Sequence, residues 1–142
     1  MVSLAPLASS RPPVSVCLAT CNGERYLQAQ MASVLKQLLP DDELVVADDQ
    51  STDGTEAIAK GFHDVRVRWL APAPERLGVV RNFERALRAA THGIVFLCDQ
   101  DDVWLDGKVA RCVQALQTHA AVVTDCYLVD DKLWPLTGSF FR

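Results

Sequence analysis

The sequence predicts an α/β fold built on a mostly parallel sheet with helices packed against it, and three observations carry that prediction. Short apolar runs rich in β-branched residues, at 14–19, 43–47, 65–70 and 94–98, alternate with segments of helical period at 26–38, 55–59, 77–90 and 108–116. That alternation is the pattern of successive βαβ units. Polar, ligand-type residues recur directly after the strand-like runs, at the strand ends where open α/β sheets bind their ligands. The chain has 142 residues, 49% hydrophobic and 23% charged, which suits one globular domain with a sizeable core.

Residues 1–13 read as a mobile leader, without the early positive charge and long apolar stretch of a signal peptide, and residues 14–142 as the domain. The run 14–19 is the first strand. Leu27, Met31, Val34, Leu35 and Leu38 then share one stripe of a helix that Pro40 ends. After the strand 43–47, the string Ser51-Thr52-Asp53-Gly54-Thr55-Glu56 offers N-cap residues, with Asp53 and Glu56 spaced like a capping box. In 65–70, Arg66 and Arg68 alternate with apolar residues, which predicts a strand near the sheet edge. The helix 77–90 is expected to turn Val80, Phe83, Leu87 and Ala90 inward. The most apolar run, 94–98, is expected to be central. A helix over 108–116 and a last strand over 121–129 complete the order.

The candidate chemistry lies in the loops. Asp99-Gln100-Asp101-Asp102 places three carboxylates at the end of the most apolar strand, followed by Val103-Trp104. Carboxylates that close raise one another's pKa values unless a cation or hydrogen-bond donors neutralise them. Oxygen-only ligands suit Mg²⁺ or Mn²⁺, whereas an exposed acidic turn ahead of the next helix is the plainer alternative. Asp48-Asp49 repeats the situation after the second strand, its partners being either a nucleobase or ribose hydroxyl, or the amides near Ser51 and Thr52. Thr20-Cys21-Asn22-Gly23-Glu24 supplies a hydroxyl, an amide and a glycine that admits close backbone approach. Arg81, near a helix start where a cation gains nothing from the helix dipole, is placed to meet a diphosphate, a solvated surface arginine being the alternative. Arg85 and Arg88 read as a solvated face.

Four ordered strings carry a family resemblance: Thr20-Cys21-Asn22-Gly23-Glu24, Asp48-Asp49-Gln50-Ser51-Thr52-Asp53-Gly54-Thr55, Leu77-Gly78-Val79-Val80-Arg81-Asn82 and Asp99-Gln100-Asp101-Asp102-Val103-Trp104. In that order they resemble the nucleotide-sugar half of a family 2 glycosyltransferase, and the last resembles its rhamnosyltransferase-like branch. The resemblance implies a GT-A fold, with a Rossmann-like sheet that binds a nucleoside-diphosphate sugar, UDP- or dTDP-linked, together with Mn²⁺ or Mg²⁺. It implies Asp49 on the base, with Ala19, Thr20, Asn22, Glu24 and Asp48 lining the nucleotide-sugar pocket and Arg81 on the diphosphate. It further implies Asp99 and Asp101 as a DxD element, Asp101 and Asp102 as metal ligands and a neighbouring carboxylate on the ribose. Cys21 stands where many members carry an aromatic residue. The reaction implied is inverting sugar transfer to a polysaccharide or lipid-linked glycan, with the catalytic base and acceptor site expected beyond Arg142.

Other classes fare worse. A net charge of −4 and a pI near 5.2 argue against a nucleic-acid binder, and no apolar stretch has the length of a membrane span. Five scattered cysteines without a CxxC pair point to reduced thiols and a cytoplasmic chain, peripheral to the inner face of a membrane if its acceptor is lipid-linked. GxGxxG and GxxxxGK[ST] are absent. A nucleotidyltransferase would carry a glycine-rich basic loop after the first strand, which residues 20–24 are not. A non-catalytic nucleotide-binding or interaction module is the remaining alternative, and for it the apolar residues Leu133, Trp134, Leu136, Phe140 and Phe141 predict self-association.

Overall fold

The structure is a computed structural model that describes residues 11–141. Four parallel strands, β1 (Val14–Thr20), β2 (Glu43–Asp48), β3 (Val67–Trp69) and β4 (Ile94–Cys98), form one sheet in the order β3-β2-β1-β4. Every residue of β1 is buried, as suits the mostly apolar sequence of a central parallel strand. The even-numbered residues Val14, Val16, Leu18, Leu44, Val46, Phe96 and Cys98 face one layer made by α1 (Leu27–Leu35), α2 (Thr55–Gly61) and α4 (Lys108–Ala115). The opposite face carries Cys17, Val45 and Ala47 under a single helix, α3 (Val79–Ala89).

Several expectations change. β4 is an edge strand among the described residues, not a central one. Phe96 and Cys98 enter the core from it, while Val95 and Leu97 stand 37% and 60% exposed on the α3 side. α3 does not bury Val80 and Leu87, which are 76% and 43% exposed. It docks instead through Asn82 and Ala86, one turn apart, because Asn82 Nδ2 donates to the Ala47 carbonyl at 2.6 Å and draws the helix close to the sheet. Phe83 and Ala90 are half-buried. The strand expected over 121–129 is confined to β5 (Tyr127–Val129), which pairs antiparallel with β6 (Pro135–Ser139) in a separate ribbon. Asp130 makes that turn by accepting from the Lys132 and Trp134 amides, both at 2.9 Å.

The predicted capping box does not close. Asp53 caps Thr55, whose amide donates to Oδ1 at 3.0 Å, but Glu56 pairs with Lys60 four residues on. The leader expected over 1–13 lies outside the described residues except for its last three. Of these, Arg11 forms an ion pair at 2.5 Å with Asp42, whose side chain is fully buried.

At the amino ends of the strands, buried Glu43 accepts from Ser15 Oγ at 2.6 Å, from the Thr91 amide at 2.7 Å and hydroxyl at 2.8 Å, and from Arg68. Burial alone would raise its pKa, but these donors outweigh it and hold the carboxyl down at about 2. Beneath it the Cys17 thiol is pushed up to about 11, chiefly by burial and further by the Glu43 charge.

Candidate functional site

The strand order reverses between β1 and β4: the chain steps outward from β1 to β2 to β3 and then returns to the far side of β1. In an open α/β sheet that reversal leaves a crevice at the carboxyl ends of the strands. The loop after β1 lies between the loop after β2 on one side and the Asp99–Asp102 tetrad on the other.

Toward β2 the rim is stitched shut by its own side chains. The amides of Asn22, Gly23 and Glu24 donate to Ser51 Oγ (2.7 Å), Thr55 Oγ1 (2.8 Å) and Asp53 Oδ2 (3.1 Å). In return Asn22 Oδ1 accepts from the Thr52 amide at 2.8 Å and Glu24 Oε2 from the Gly54 amide at 3.0 Å. Asn22 adopts φ 51°, a left-handed conformation that asparagine tolerates. Asp48 accepts from the Ser51 amide at 2.8 Å and hydroxyl at 2.5 Å, the local reading of that carboxylate. Buried Asp49 accepts from the amides of Leu77 (2.7 Å) and Gly78 (2.8 Å), so it pins the start of α3. Gly78 there takes φ 79°, a conformation costly for any residue with a Cβ.

Toward β4 the situation is reversed. Among the described residues, no hydrogen bond or ion pair engages the carboxylates of Asp99, Asp101 or Asp102. Asp99 and Asp102 are pushed above the ordinary carboxylate range, first by partial desolvation and then by the neighbouring negative charges. Lys108 opposes that shift at Asp102. The loop carrying them is nevertheless fixed at both ends. Gln100 reaches across to the loop after β1, and the Trp104 amide donates to Ser33 Oγ at 2.9 Å. Ser33 Oγ donates to Gln30 Oε1 at 3.2 Å, and the fully buried Gln30 donates through Nε2 to Cys98 Sγ at 2.7 Å. Trp104 is buried against Phe96, with ring centroids 5.6 Å apart, and Lys108 Nζ sits 4.9 Å from its ring centroid.

Of the residues singled out from sequence, Ala19 and Thr20 are buried at the end of β1, Asp48 and Asp49 close the β2 side, and Asp99, Asp101 and Asp102 stand at the open side. Arg81 is exposed in the first turn of α3 and makes no hydrogen bond or ion pair among the described residues. Arg85, read as solvated, is half-buried and structural, donating to the carbonyls of Asp48 (3.2 Å) and Ala71 (2.7 Å). Arg88 pairs with Glu84 on the exposed face. Among the described residues, no group of three or more His, Cys, Asp or Glu side chains converges as a metal-binding set. Gln100 and Ser33 went unnoticed in the sequence because each acts through a partner distant along the chain; Lys108, one turn from Trp104, read only as the start of a helix. No helix among the described residues is long and apolar enough to cross a membrane.

The chain resembles known proteins along most of its length. It is 32% identical over 96 residues to the Escherichia coli UDP-Glc:α-D-GlcNAc-diphosphoundecaprenol β-1,3-glucosyltransferase WfgD, covering 68% of this chain and 38% of that protein. It is 28% identical over 116 residues to the dTDP-rhamnosyl transferase RfbG of Shigella flexneri, covering 78% and 39%. Its fold superposes with a TM-score of 0.68 and 30% identity on the mannosyltransferase PcManGT from Pyrobaculum calidifontis, solved in complex with GDP-Man and Mn²⁺, covering 80% of this chain and 35% of that one. The chain thus spans little more than a third of the length of these relatives. The Rossmann-like parallel sheet is that of GT-A glycosyltransferases. The sequence model of glycosyl transferase family 2 matches residues 15–139, and the chain belongs to that family.

Proposed function

We propose that this chain binds a nucleoside-diphosphate sugar together with Mn²⁺ or Mg²⁺ and serves as the donor-binding part of an inverting glycosyltransferase acting on a polysaccharide or lipid-linked glycan. The observation that carries this reading is the contrast across the crevice, where a hydrogen-bonded loop faces three carboxylates that make no hydrogen bond or ion pair among the described residues. The donor set suits a hard divalent cation in chemistry: Asp101 and Asp102 offer only oxygens, and among the described residues no set of three or more His, Cys, Asp or Glu side chains forms around them. The rest of the coordination shell is then left to water and diphosphate, as Mg²⁺ and Mn²⁺ favour. When bound, the cation neutralises charge on the departing diphosphate.

The chain's own residues would do the rest. The loop 19–24 and Asp48 line the nucleotide pocket, and Asp49, through its grip on Leu77 and Gly78, sets the start of α3 beside it while retaining lone pairs for a base. Arg81, which makes no hydrogen bond among the described residues, approaches the diphosphate. Asp99 is left to the ribose. The relatives use UDP-, dTDP- and GDP-linked donors between them, and we favour UDP or dTDP. A lipid-linked acceptor, as in the name of WfgD, would bring the enzyme to the inner face of a membrane from the cytoplasm.

Calorimetric titration with UDP, dTDP and GDP, each with and without Mn²⁺, tests the proposal. Mn²⁺-dependent binding of one of them is expected, and Asp101→Asn should abolish that dependence while leaving the chain folded. Absence of binding to all three overturns the reading. The interaction-module alternative has one observation in its favour, the exposure of Trp134, Leu136, Phe140 and Phe141 in and after the ribbon, at 69, 66, 57 and 58%. It predicts a mass in solution that rises with concentration, whereas a constant monomer mass removes it.

A further inference from the structure

One side chain joins the two sides of the crevice. Gln100 belongs to the tetrad by sequence, but its carboxamide bonds to the loop after β1. Its Oε1 accepts from Thr20 Oγ1 at 2.7 Å and from the Cys21 amide at 2.8 Å, and its Nε2 donates to the Cys21 carbonyl at 3.2 Å. The carboxamide therefore reads the Cys21 backbone at two points, as a paired strand would, and takes the Thr20 hydroxyl as a third. Gly23 makes room for it: a Cβ there would collide with Gln100 Oε1 and come within 2.9 Å of Thr20 Oγ1. Thr20 in turn lies in the buried end of β1, and its carbonyl accepts from the Asp49 amide at 2.8 Å. A continuous path of hydrogen bonds runs from the backbone between Asp99 and Asp101, through Gln100, into the loop stitched to β2.

We propose that Gln100 is a positioning residue that couples the cation site at Asp101 and Asp102 to the nucleotide pocket at Thr20 and Cys21, so that filling one prepares the other. The proposal rests on the donor-site reading above and adds to it a route of communication. The physical basis is that, among the described residues, the three carboxylates make no hydrogen bond or ion pair, the Lys108 charge near Asp102 aside. The loop is anchored at Gln100 and at the Trp104 amide, and the Gln100 anchor is the side-chain contact that joins it to Thr20 and Cys21. A cation that draws Asp101 and Asp102 together moves the backbone next to Gln100, and a carboxamide held at three points passes that movement to Cys21. By reciprocity of linked equilibria, a nucleotide that fixes the Thr20–Cys21 loop tightens cation binding by the same factor.

Amide NMR of the ¹⁵N-labelled chain tests this without a nucleotide. Titration of the native chain with Mg²⁺ alone should shift the amides of residues 99–102 and also those of Thr20, Cys21 and Asn22. In Gln100→Met, which keeps the length and loses the hydrogen bonds, the tetrad should still respond while the response at residues 20–22 disappears. Gly23→Ala, which displaces the carboxamide without altering it, should reproduce that uncoupling, and unshifted amides across β1 and β2 certify the fold of both variants. If either variant fails to fold, Thr20→Val, which removes one of the three contacts, should weaken the response at residues 20–22. In the nucleotide arm, the factor by which Mg²⁺ tightens UDP, dTDP or GDP binding should fall about fivefold or more in Gln100→Met, the scale of ordinary site-to-site coupling. A response at residues 20–22 that survives Gln100→Met overturns the coupling, as does a Mg²⁺ response in the native chain confined to the tetrad. Absence of nucleotide binding with an intact, Gln100-dependent Mg²⁺ response overturns the donor-site reading and leaves the coupling standing. Absence of any Mg²⁺ response at the tetrad, with or without the nucleotides, overturns both.

Discussion

β2 and β4 leave the same sheet with clusters of carboxylates, yet the two clusters are treated in opposite ways. Four acidic residues of β2 and its flanks are consumed by the fold. Asp42 holds Arg11 and the amides of Val14 and Leu39, Glu43 holds Ser15, Arg68 and Thr91, Asp48 holds Ser51, and Asp49 holds Leu77 and Gly78. At β4 the acids are left over, and the neutral Gln100 and the Trp104 amide do the anchoring. An acidic string in a sequence is therefore ambiguous until its donors are counted: satisfied carboxylates are structure, and unsatisfied ones on an anchored loop are available to a ligand.

The comparison can be broken at several places. The largest effect is expected at Glu43 as pH falls. Its carboxyl is held at about 2 in the folded chain against an unfolded value of about 4.3. Its stabilisation is present above that unfolded value and is lost as pH drops through the folded one, on the order of 3 kcal/mol in all. Urea unfolding at steps from pH 6 to 2.5 should show this acid limb in the native chain and a shallower one in Glu43→Gln. Equal slopes would count against Glu43 as its source. Next comes Asp49→Ala, which strips the Leu77 and Gly78 amides of a charged acceptor and should cost about 2 kcal/mol by denaturant unfolding. Gly78→Ala meets open space but must hold φ 79°, at a cost of about 1 to 2 kcal/mol. The smallest effect has the opposite sign. In the presence of EDTA, Asp102→Asn should raise the melting temperature slightly, by less than about 1 kcal/mol of stability, because it relieves repulsion instead of removing a partner. A loss comparable to that of Asp49→Ala would erase the distinction between the clusters.

Much of this was legible in the sequence, and the exceptions have physical causes. β1, β2 and β4 announce themselves because a central or half-covered parallel strand needs an unbroken apolar run. The tetrad stands out because like charges rarely cluster without a reason. The inward face of α3 was hidden because Asn82 and Ala86 seat the helix, whereas hydrophobicity favours Val80 and Leu87. The β5–β6 ribbon was hidden because the turn at Asp130 is made by side-chain acceptance from backbone amides, and 121–129 reads as one run. The role of Gln100 could not be read locally at all. Its partner Cys21 lies 79 residues away, and a glutamine among aspartates looks like the spectator of its own motif.

The strand order also has a consequence for how the chain is made. β1 receives β2 on one side after about 30 residues of synthesis, with Ser15 paired to Glu43, but its other side is completed only by β4, with Val14 paired to Ile94. Until residues 94–98 have left the ribosome, the fully buried strand β1 carries a bare hydrogen-bonding edge, the kind of surface that recruits other strands. A stalled or prematurely released product ending before β4 is therefore expected to aggregate during translation, and the demand this domain places on chaperones is concentrated in that interval.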